Sequence, residues 1–334
     1  MLVGGAIRSR LLLVAVLLGA VIGLVACDDD GGASAASPTS EASAADATSE
    51  ATATETATAT EAAGPLVVAD SDGFVLEFEA APQRIVSYSP GVTEILFAIG
   101  AGAQVIAADE FSDYPAETVD LERVSYSEPD PERVLGLDPD LVIMATRQQE
   151  QVEQFRDLGL AVMFNREPDS IEGVLENIRT LGTVTGHEAD AEALIASMEA
   201  RIAAVEEAIA DVTAGPRVFY ELSEDLFTVA PETFVGSTLT LLKASNVAAG
   251  AETAFPQLTQ EALIAANPEV VLLADAEFGA TPEAVAARPG WDAVDAVING
   301  RLYPVDPDLG NRPGPRIVDA LEEVARLLYP DRFE

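Results

Sequence analysis

After Pro65, short apolar runs alternate along the chain with segments in which apolar residues recur at helical spacing. Runs of this kind are typical of strands that are buried on both faces of a sheet. The predicted strands are Leu66–Ala69, Phe74–Phe78, Arg84–Tyr88, Gln104–Ala108, Leu141–Met144, Ala161–Phe164, Arg217–Tyr220, Val270–Leu273 and Leu302–Val305. The predicted helices are Gly91–Ile99, Pro131–Leu137, Gln149–Leu158, Phe234–Lys243, Thr259–Ala266, Thr281–Ala287 and Ile317–Leu328. This alternation predicts an α/β fold with mainly parallel sheets covered by helices.

The segment from Ser170 to Val212 has a different pattern. It contains no proline, and only three glycines interrupt its helical periodicity. The pattern predicts one long helix, or two helices in series. We therefore expect two α/β lobes with separate cores, joined by a long rigid helix, with a ligand cleft between them. The predicted boundaries are 65–168 for the first lobe, 169–213 for the connecting backbone helix and 214–334 for the second lobe.

The N-terminus has the features of an export signal. Two arginines precede the almost wholly aliphatic stretch Leu11–Ala26, which is short for a membrane span. The end of this stretch, Leu-Val-Ala-Cys at 24–27, resembles a bacterial lipobox, so residues 1–26 are predicted as a signal peptide and Cys27 as the lipidated residue. The Ala-, Ser-, Thr- and Glu-rich tract 27–64 is predicted to be a disordered tether. The alternative is an ordinary signal peptide or signal anchor with an incidental cysteine.

Composition narrows the classes of function. The formal net charge is −39, and from Pro65 onward there are 16 basic and 49 acidic residues. Such a charge disfavours nucleic acid and anionic lipid as partners. With one cysteine and one histidine, the chain has neither a disulfide framework nor a typical zinc cluster, and we expect no cofactor and no metal. No catalytic motif is present, so an enzyme is not expected; a carboxylate-dependent extracellular hydrolase is a remote alternative.

Several motifs occur in an order that resembles a known family. They are Gln83–Pro90, Thr93–Leu96, Ala98–Gly100, Phe111–Pro115, Leu135–Ile143, Ala266–Leu272, Asn299–Val305 and Pro313–Arg316. The chain from about Pro82 to Tyr329 resembles the helical-backbone (class III) solute-binding proteins that serve ABC importers for cobalamin, ferric siderophores and haem. The Asp-Tyr-Pro element within Phe111–Pro115 is similar to an element that is found most often in the cobalamin-binding branch of this family. Where that branch often has tryptophan, this chain has Ala145-Thr146, which departs from the pattern.

Candidate ligand contacts follow from the position of ligands in parallel sheets, which is outside the carboxyl ends of the strands. The candidates are Tyr88, Ser89, Phe111, Tyr114, Arg147, Asn165, Arg166, Glu221, Phe278, Asp308 and Arg312. Aromatic faces and hydrogen-bonding groups of this kind suit a corrin ring with side-chain amides. An arginine cluster would instead suit an anionic ferric siderophore, and a tyrosine, Tyr88 or Tyr114, would suit haem.

The resemblance also implies partners and location. It implies a monomer tethered outside the cytoplasm by its lipid, which captures cobalamin and delivers it to the permease and ATPase of an ABC importer. Ferric siderophore or haem is the alternative ligand. Proteins of the family dock onto the permease through one exposed acidic residue on each lobe, and the candidates here are Glu150 and Glu232.

Overall fold

The computed structural model describes residues 65–333. The predicted signal peptide, the lipidated Cys27 and the linker up to residue 64 lie outside the described residues. Within 65–333, no helix combines the length and the apolarity needed to cross a membrane. The same range contains no group of three or more His, Cys, Asp or Glu side chains arranged to hold a metal ion.

The first lobe begins with a β-hairpin and continues as a parallel sheet. Its strands are β1 (Leu66–Ala69), β2 (Val75–Phe78), β3 (Ile85–Ser87), β4 (Val105–Asp109), β5 (Glu122–Val124), β6 (Leu141–Met144) and β7 (Val162–Phe164). Its helices are α1 (Pro90–Ala98), α2 (Pro131–Gly136) and α3 (Val152–Asp157). β1 and β2 are antiparallel, and the other five strands form a parallel sheet in the order β5-β4-β3-β6-β7. The alternating pattern therefore predicted the sheet, except for its short edge strand β5.

The segment between the lobes consists of two helices, α4 (Ile171–Thr185) and α5 (Glu188–Ala208). Gly186 ends α4 in the left-handed region, with φ of 76°, which an L side chain adopts only with strain. The chain then folds back: Gly182 lies against Ala191, and Arg179 bonds to Glu192 across the turn. Of the two predicted alternatives, one long helix or two helices in series, the structure shows two helices. They pack side by side and do not extend in line.

The second lobe is a four-stranded parallel sheet with helices around it. Its strands are β8 (Arg217–Glu221), β9 (Ser245–Asn246), β10 (Val270–Leu273) and β11 (Leu302–Pro304), in the order β11-β10-β8-β9. Its helices are α6 (Phe234–Leu241), α7 (Gln260–Ala266), α8 (Pro282–Ala286), α9 (Asp295–Ile298), α10 (Pro307–Asn311) and α11 (Ile317–Leu328). β9, α9 and α10, of two, four and five residues, were not predicted.

The core differs from the expectation of two separate cores. One contiguous cluster contains Ile85 and Val92 from the first lobe, Met198 from α5, and Val218 and Leu321 from the second lobe. Each sheet also packs a separate cluster, one around Phe155 and the other around Trp291. The two lobes therefore share the apolar core in which α4, α5 and α11 are packed. α5 reaches both lobes, since its Arg201 pairs with Asp319 and Glu322 of α11 while its Met198 shares a groove with Glu94 of α1.

Candidate functional site

Two adjoining cavities lie between the lobes at the carboxyl ends of the strands. Their volumes are about 440 Å³ and about 280 Å³, and they share Glu167, Asn311 and Pro313 in their walls. Both volumes are of the order found for small-molecule sites, about 300–1,000 Å³. We call the two cavities together the cleft. It is lined by segments that follow β3, β4, β5 and β7 of the first lobe and β8, β9 and β11 of the second.

The wall from the first lobe carries two aromatic side chains. Phe111, which follows β4, is 52% exposed and contacts Tyr126 edge to face, with ring centroids 5.5 Å apart. Ser89 caps the N-terminus of α1 and lines the same cavity. An exposed phenylalanine held by a neighbouring ring offers an apolar face to a ligand with little loss of side-chain entropy on binding.

Glu167 lies where the two cavities meet. Its backbone N–H donates to Thr146 Oγ1 at 2.9 Å, which fixes the chain just after β7. The cleft walls keep part of the solvent from its carboxyl group and raise its pKa. Burial also raises the pKa of Tyr126, and the Glu167 charge adds to that effect. The centre of the cleft therefore favours groups that donate hydrogen bonds over groups that carry negative charge.

The wall from the second lobe is mainly apolar. Leu222, Val229, Phe234, Val235 and Phe255 line the larger cavity. Phe255 is 59% exposed although it belongs to a folded segment, so its ring is available to a ligand. Two carboxylates also line this cavity, Glu232 from the second lobe and Asp169 from the segment just before α4.

Arg312 is the one arginine in the walls of the two cavities described here. Its Nη2 lies 2.9 Å from Asp308 Oδ2 in the same lobe, and its Nη1 lies 2.5 Å from Asp113 Oδ1 in the other lobe. Burial opposes ionisation of Asp113, but the hydrogen bond and charge of Arg312 outweigh it and lower the pKa of that carboxyl. Burial raises the pKa of Asp308 despite the nearby Arg312. Two carboxylates thus face a single guanidinium.

Four of the predicted contacts line the cleft: Ser89, Phe111, Asp308 and Arg312. Glu232, predicted as a docking residue, lines it as well, whereas Glu150 is exposed on the first lobe.

Other predicted contacts lie elsewhere, and their placement corrects the prediction. Tyr88 is fully buried beside Phe155, with ring centroids 6.2 Å apart, so it belongs to the core of the first lobe. Glu221 is fully buried too, and Arg288 binds both of its oxygens at 2.6 and 2.7 Å. In both cases the residue lies at the end of a strand as predicted, but its side chain is buried in the lobe and does not line the cleft.

Four further candidates are also outside the cleft walls. Tyr114 lines a separate groove beside α5, where the Arg316 guanidinium stacks 4.0 Å from its ring centroid. Arg166 pairs with Asp72 of the β1–β2 turn at 2.6 Å, and both side chains are about half exposed. Asn165 is 3% exposed, and Arg147 is exposed without lining either cavity.

Phe278, the last of the predicted ligand contacts, is 84% exposed and lines neither cavity. The arginine cluster expected for an anionic siderophore is not formed by the predicted residues. Arg166 and Arg312 each bind a carboxylate, and of the three predicted arginines only Arg312 lines the cavities.

Sequence reasoning missed Tyr126, Glu167, Phe255 and Asp113. Tyr126 and Phe255 follow the strands β5 (Glu-Arg-Val) and β9 (Ser-Asn), neither of which contains a continuous apolar run. Glu167 directly follows Asn165-Arg166, which were predicted as ligand contacts at the end of a strand. The same rule, that ligands lie at the carboxyl ends of strands, could therefore have predicted Glu167. Asp113 lies in the motif Phe111–Pro115, but the motif does not predict its role. That role depends on Arg312, which is 199 positions away in the sequence.

Two α/β lobes with a shared core and a partly apolar cleft at the strand ends define a solute-binding protein. The sequence pattern of the family described as periplasmic binding protein matches residues 85–309. The chain belongs to this family, and the resemblance noted in the sequence is confirmed.

Relatives and solved structures cover most of the chain. An uncharacterized ABC transporter substrate-binding lipoprotein of Bacillus subtilis, YvrC, is 32% identical over 278 residues, 81% of this chain and 87% of the relative. A cobalamin-binding protein of Halobacterium salinarum is 30% identical over 79% of this chain and 74% of its own length. The vitamin B12 binding protein BtuF of Vibrio cholerae has a TM-score of 0.67 and 26% identity over 76% of this chain and 99% of its own. The haem-binding protein RhuT of Roseiflexus has a TM-score of 0.66 and 29% identity over 75% and 99%.

Proposed function

We propose that this protein is a lipid-anchored, extracytoplasmic solute-binding protein that captures cobalamin and delivers it to an ABC importer. The observation that carries the proposal is the cleft between two α/β lobes, with Phe111 on one wall and Phe255 on the other. Support for the transport system comes from YvrC, which is named an ABC transporter substrate-binding lipoprotein. The Halobacterium and Vibrio proteins, named for cobalamin and vitamin B12, support the ligand.

The chemistry of the cleft favours a large ligand without excess negative charge. Glu167, Asp169, Glu232 and Asp308 line it, and Arg312 is already bound by carboxylates. Corrin side-chain amides can donate to these carboxylates, and the apolar faces of the macrocycle can pack on the two phenylalanines. A ligand rich in carboxylates would face repulsion in the same cleft. This charge pattern supports cobalamin over an anionic ferric siderophore.

Haem remains the second candidate because of one residue. Haem iron can be held by a tyrosine, and Tyr126 is a tyrosine in the cleft wall, whereas Tyr88 and Tyr114 are not. The structural likeness to the haem-binding RhuT favours the same reading. Against it stand the acidic groups around Tyr126, which would repel the haem propionates.

Delivery to a transporter rests on two predicted features. Cys27 would carry the lipid, and this would keep the binding protein near the membrane and raise its effective concentration beside the permease. Glu150 and Glu232 are both exposed, as docking onto basic permease residues would require. Docking contacts at such rim charges would set association rate and salt dependence.

Titration calorimetry of the full-length protein with cyanocobalamin, haemin and a ferric siderophore tests the proposal. We expect cyanocobalamin to bind with a Kd below about 10 μM, roughly −7 kcal/mol. Weaker binding of cyanocobalamin than this would rule out the cobalamin assignment. If haemin bound more tightly, and Tyr126→Phe abolished that binding, the ligand would be haem.

Truncation of Phe111 tests the cleft itself. We expect Phe111→Ala to weaken cyanocobalamin binding about tenfold, close to 1.4 kcal/mol, because an apolar face is lost from the wall. Phe278→Ala is the matched control, since Phe278 is more exposed than Phe111 but lines neither cavity. Equal effects of the two variants on the Kd would show that the ligand is not held where we place it.

A further inference from the structure

The segment Arg312–Arg316, with the sequence Arg-Pro-Gly-Pro-Arg, belongs to the second lobe by its position in the chain. It connects α10 to α11, and α11 packs in the shared core. Yet both of its terminal arginines bind carboxylates of the first lobe. We call this segment the strap.

One end of the strap is bound by a buried ion pair. Arg316 donates from Nη2 to Glu94 Oε1 at 2.5 Å and from Nε to Glu94 Oε2 at 3.0 Å. The Glu94 side chain on α1 is 3% exposed, and the ring of Tyr114 covers the guanidinium at 4.0 Å. A bidentate pair with this burial does not separate without leaving a carboxylate unpaired in the core.

The middle of the strap is seated directly on backbone. A Cβ atom on Gly91 would lie 2.7 Å from the carbonyl oxygen of Pro313, closer than real Cβ contacts come. A Cβ on Gly314 would lie 3.2 Å from Glu94 Oε2. The two glycines therefore let the N-terminal turn of α1 and the strap approach without intervening side chains.

The other end of the strap is bound by an ion pair whose carboxylate is exposed. The Asp113 side chain is 64% exposed and the Arg312 side chain 16%, and the Asp113 carboxylate binds Arg312 across the gap between the lobes. A pair with a solvated carboxylate is screened by salt and is easier to separate than a pair whose carboxylate is buried. If Asp113 moves away, Arg312 keeps Asp308 as a partner, so no unpaired charge is left behind. This end can open where the Glu94 end cannot.

We propose that Asp113 is a positioning residue that sets the width of the cleft through Arg312, while Glu94–Arg316 is the fixed pivot of the strap. Arg312 lines the smaller cavity, so its position and the separation of the two walls change together. The effect of Asp113 on ligand release rests on the proposed function. The effect of Asp113 on the separation of the lobes does not rest on the proposed function, so the two effects can be measured separately.

The experiment measures the distance between the lobes and the rate of ligand release. The full chain with Cys27→Ser receives spin labels at Ser127→Cys and Thr253→Cys, two exposed positions on opposite lobes. In the ligand-free protein, we expect Asp113→Asn and Gly91→Ala to shift the distance distribution to longer values or to broaden it. Dissociation of cyanocobalamin should become about two- to fivefold faster in both variants, and Asp113→Glu should restore the wild-type rate.

Matched controls separate the strap from general effects. Asp120→Asn removes an exposed carboxylate of the same lobe, and Gly136→Ala adds a methyl group where no atom lies within 4 Å. Both should keep the wild-type distances. Distances in Asp113→Asn and Gly91→Ala that match these controls would overturn the proposal. A wild-type protein that fails to bind cyanocobalamin would refute the proposed ligand, and the distance measurement would still decide the role of the strap.

Discussion

Replacing Glu94 by alanine is expected to lower the free energy of unfolding by about 3–5 kcal/mol, because it leaves the Arg316 guanidinium half-buried without its partner. Both oxygens of Glu94 are engaged by Arg316, and the residue joins α1 of the first lobe to the start of α11 in the second. Chemical denaturation monitored by circular dichroism measures the change. The loss should be accompanied by a broader transition if the lobes then unfold separately.

Glu122→Ala is the matched control for this prediction. Glu122 pairs with Arg133 at 2.5 Å, the same distance, but both side chains are about half exposed. We expect a change well below about 1 kcal/mol, since exposed pairs are solvated in either state. A similar loss in the two variants would mean that the burial of Glu94 has no energetic consequence.

Replacing Arg288 by methionine should have an effect of the same size in the second lobe, about 3–5 kcal/mol at neutral pH. Arg288 binds both oxygens of the fully buried Glu221 and stacks on Trp291 at 4.9 Å. Asp275 lies nearby, 3% exposed, and neither of its carboxylate oxygens has a hydrogen-bond partner among the described residues. Without the arginine, two carboxylates would be buried with no cation.

The loss should depend on pH in a defined direction. Burial raises the pKa of Glu221 and of Asp275, in each case against the opposing effect of Arg288. A group with a raised pKa binds its proton more tightly in the folded state, so its favourable contribution is complete below the unfolded pKa of about 4 and is lost as the pH rises through the folded value. The loss in the free energy of unfolding caused by Arg288→Met should therefore be smaller at pH 5 than at pH 8. Urea denaturation at each pH measures this loss.

Arg326→Met provides the control in this case, because Arg326 is 54% exposed and pairs with Glu322 at 3.2 Å. Its effect should be well below about 1 kcal/mol at both values of pH. A deficit of Arg288→Met that grew on acidification would contradict the protonation argument.

The regular elements could be predicted because their signals are local. Buried strands such as Leu141–Met144 and Val270–Leu273 are continuous aliphatic runs, and their bounds were predicted to the residue. The same holds for α11, Ile317–Leu328, whose apolar residues recur on one face. β9 (Ser-Asn) and α10 (Pro-Asp-Leu-Gly-Asn) were missed because neither contains a continuous aliphatic run or a helical period.

The candidate site was predicted less completely. A strand end can be located in the sequence, but the direction of each side chain at that end cannot. Tyr88 and Ser89 are neighbours in sequence, yet the first enters the core and the second lines the cleft. The motif Phe111–Pro115 was recognised, but within it only Phe111 lines the cleft, while Asp113 binds Arg312 and Tyr114 stacks on Arg316.

Local sequence patterns were enough to predict two parallel α/β lobes of one binding-protein family, because hydrophobic periodicity and ordered motifs are properties of neighbouring residues. The return of the central helices at Gly186 and the core shared by the lobes became visible in the three-dimensional structure alone. The same is true of the pairs Glu94–Arg316 and Asp113–Arg312, whose residues are about 200 or more positions apart. Contacts over such separations depend on how all the intervening elements pack, and no local pattern encodes them.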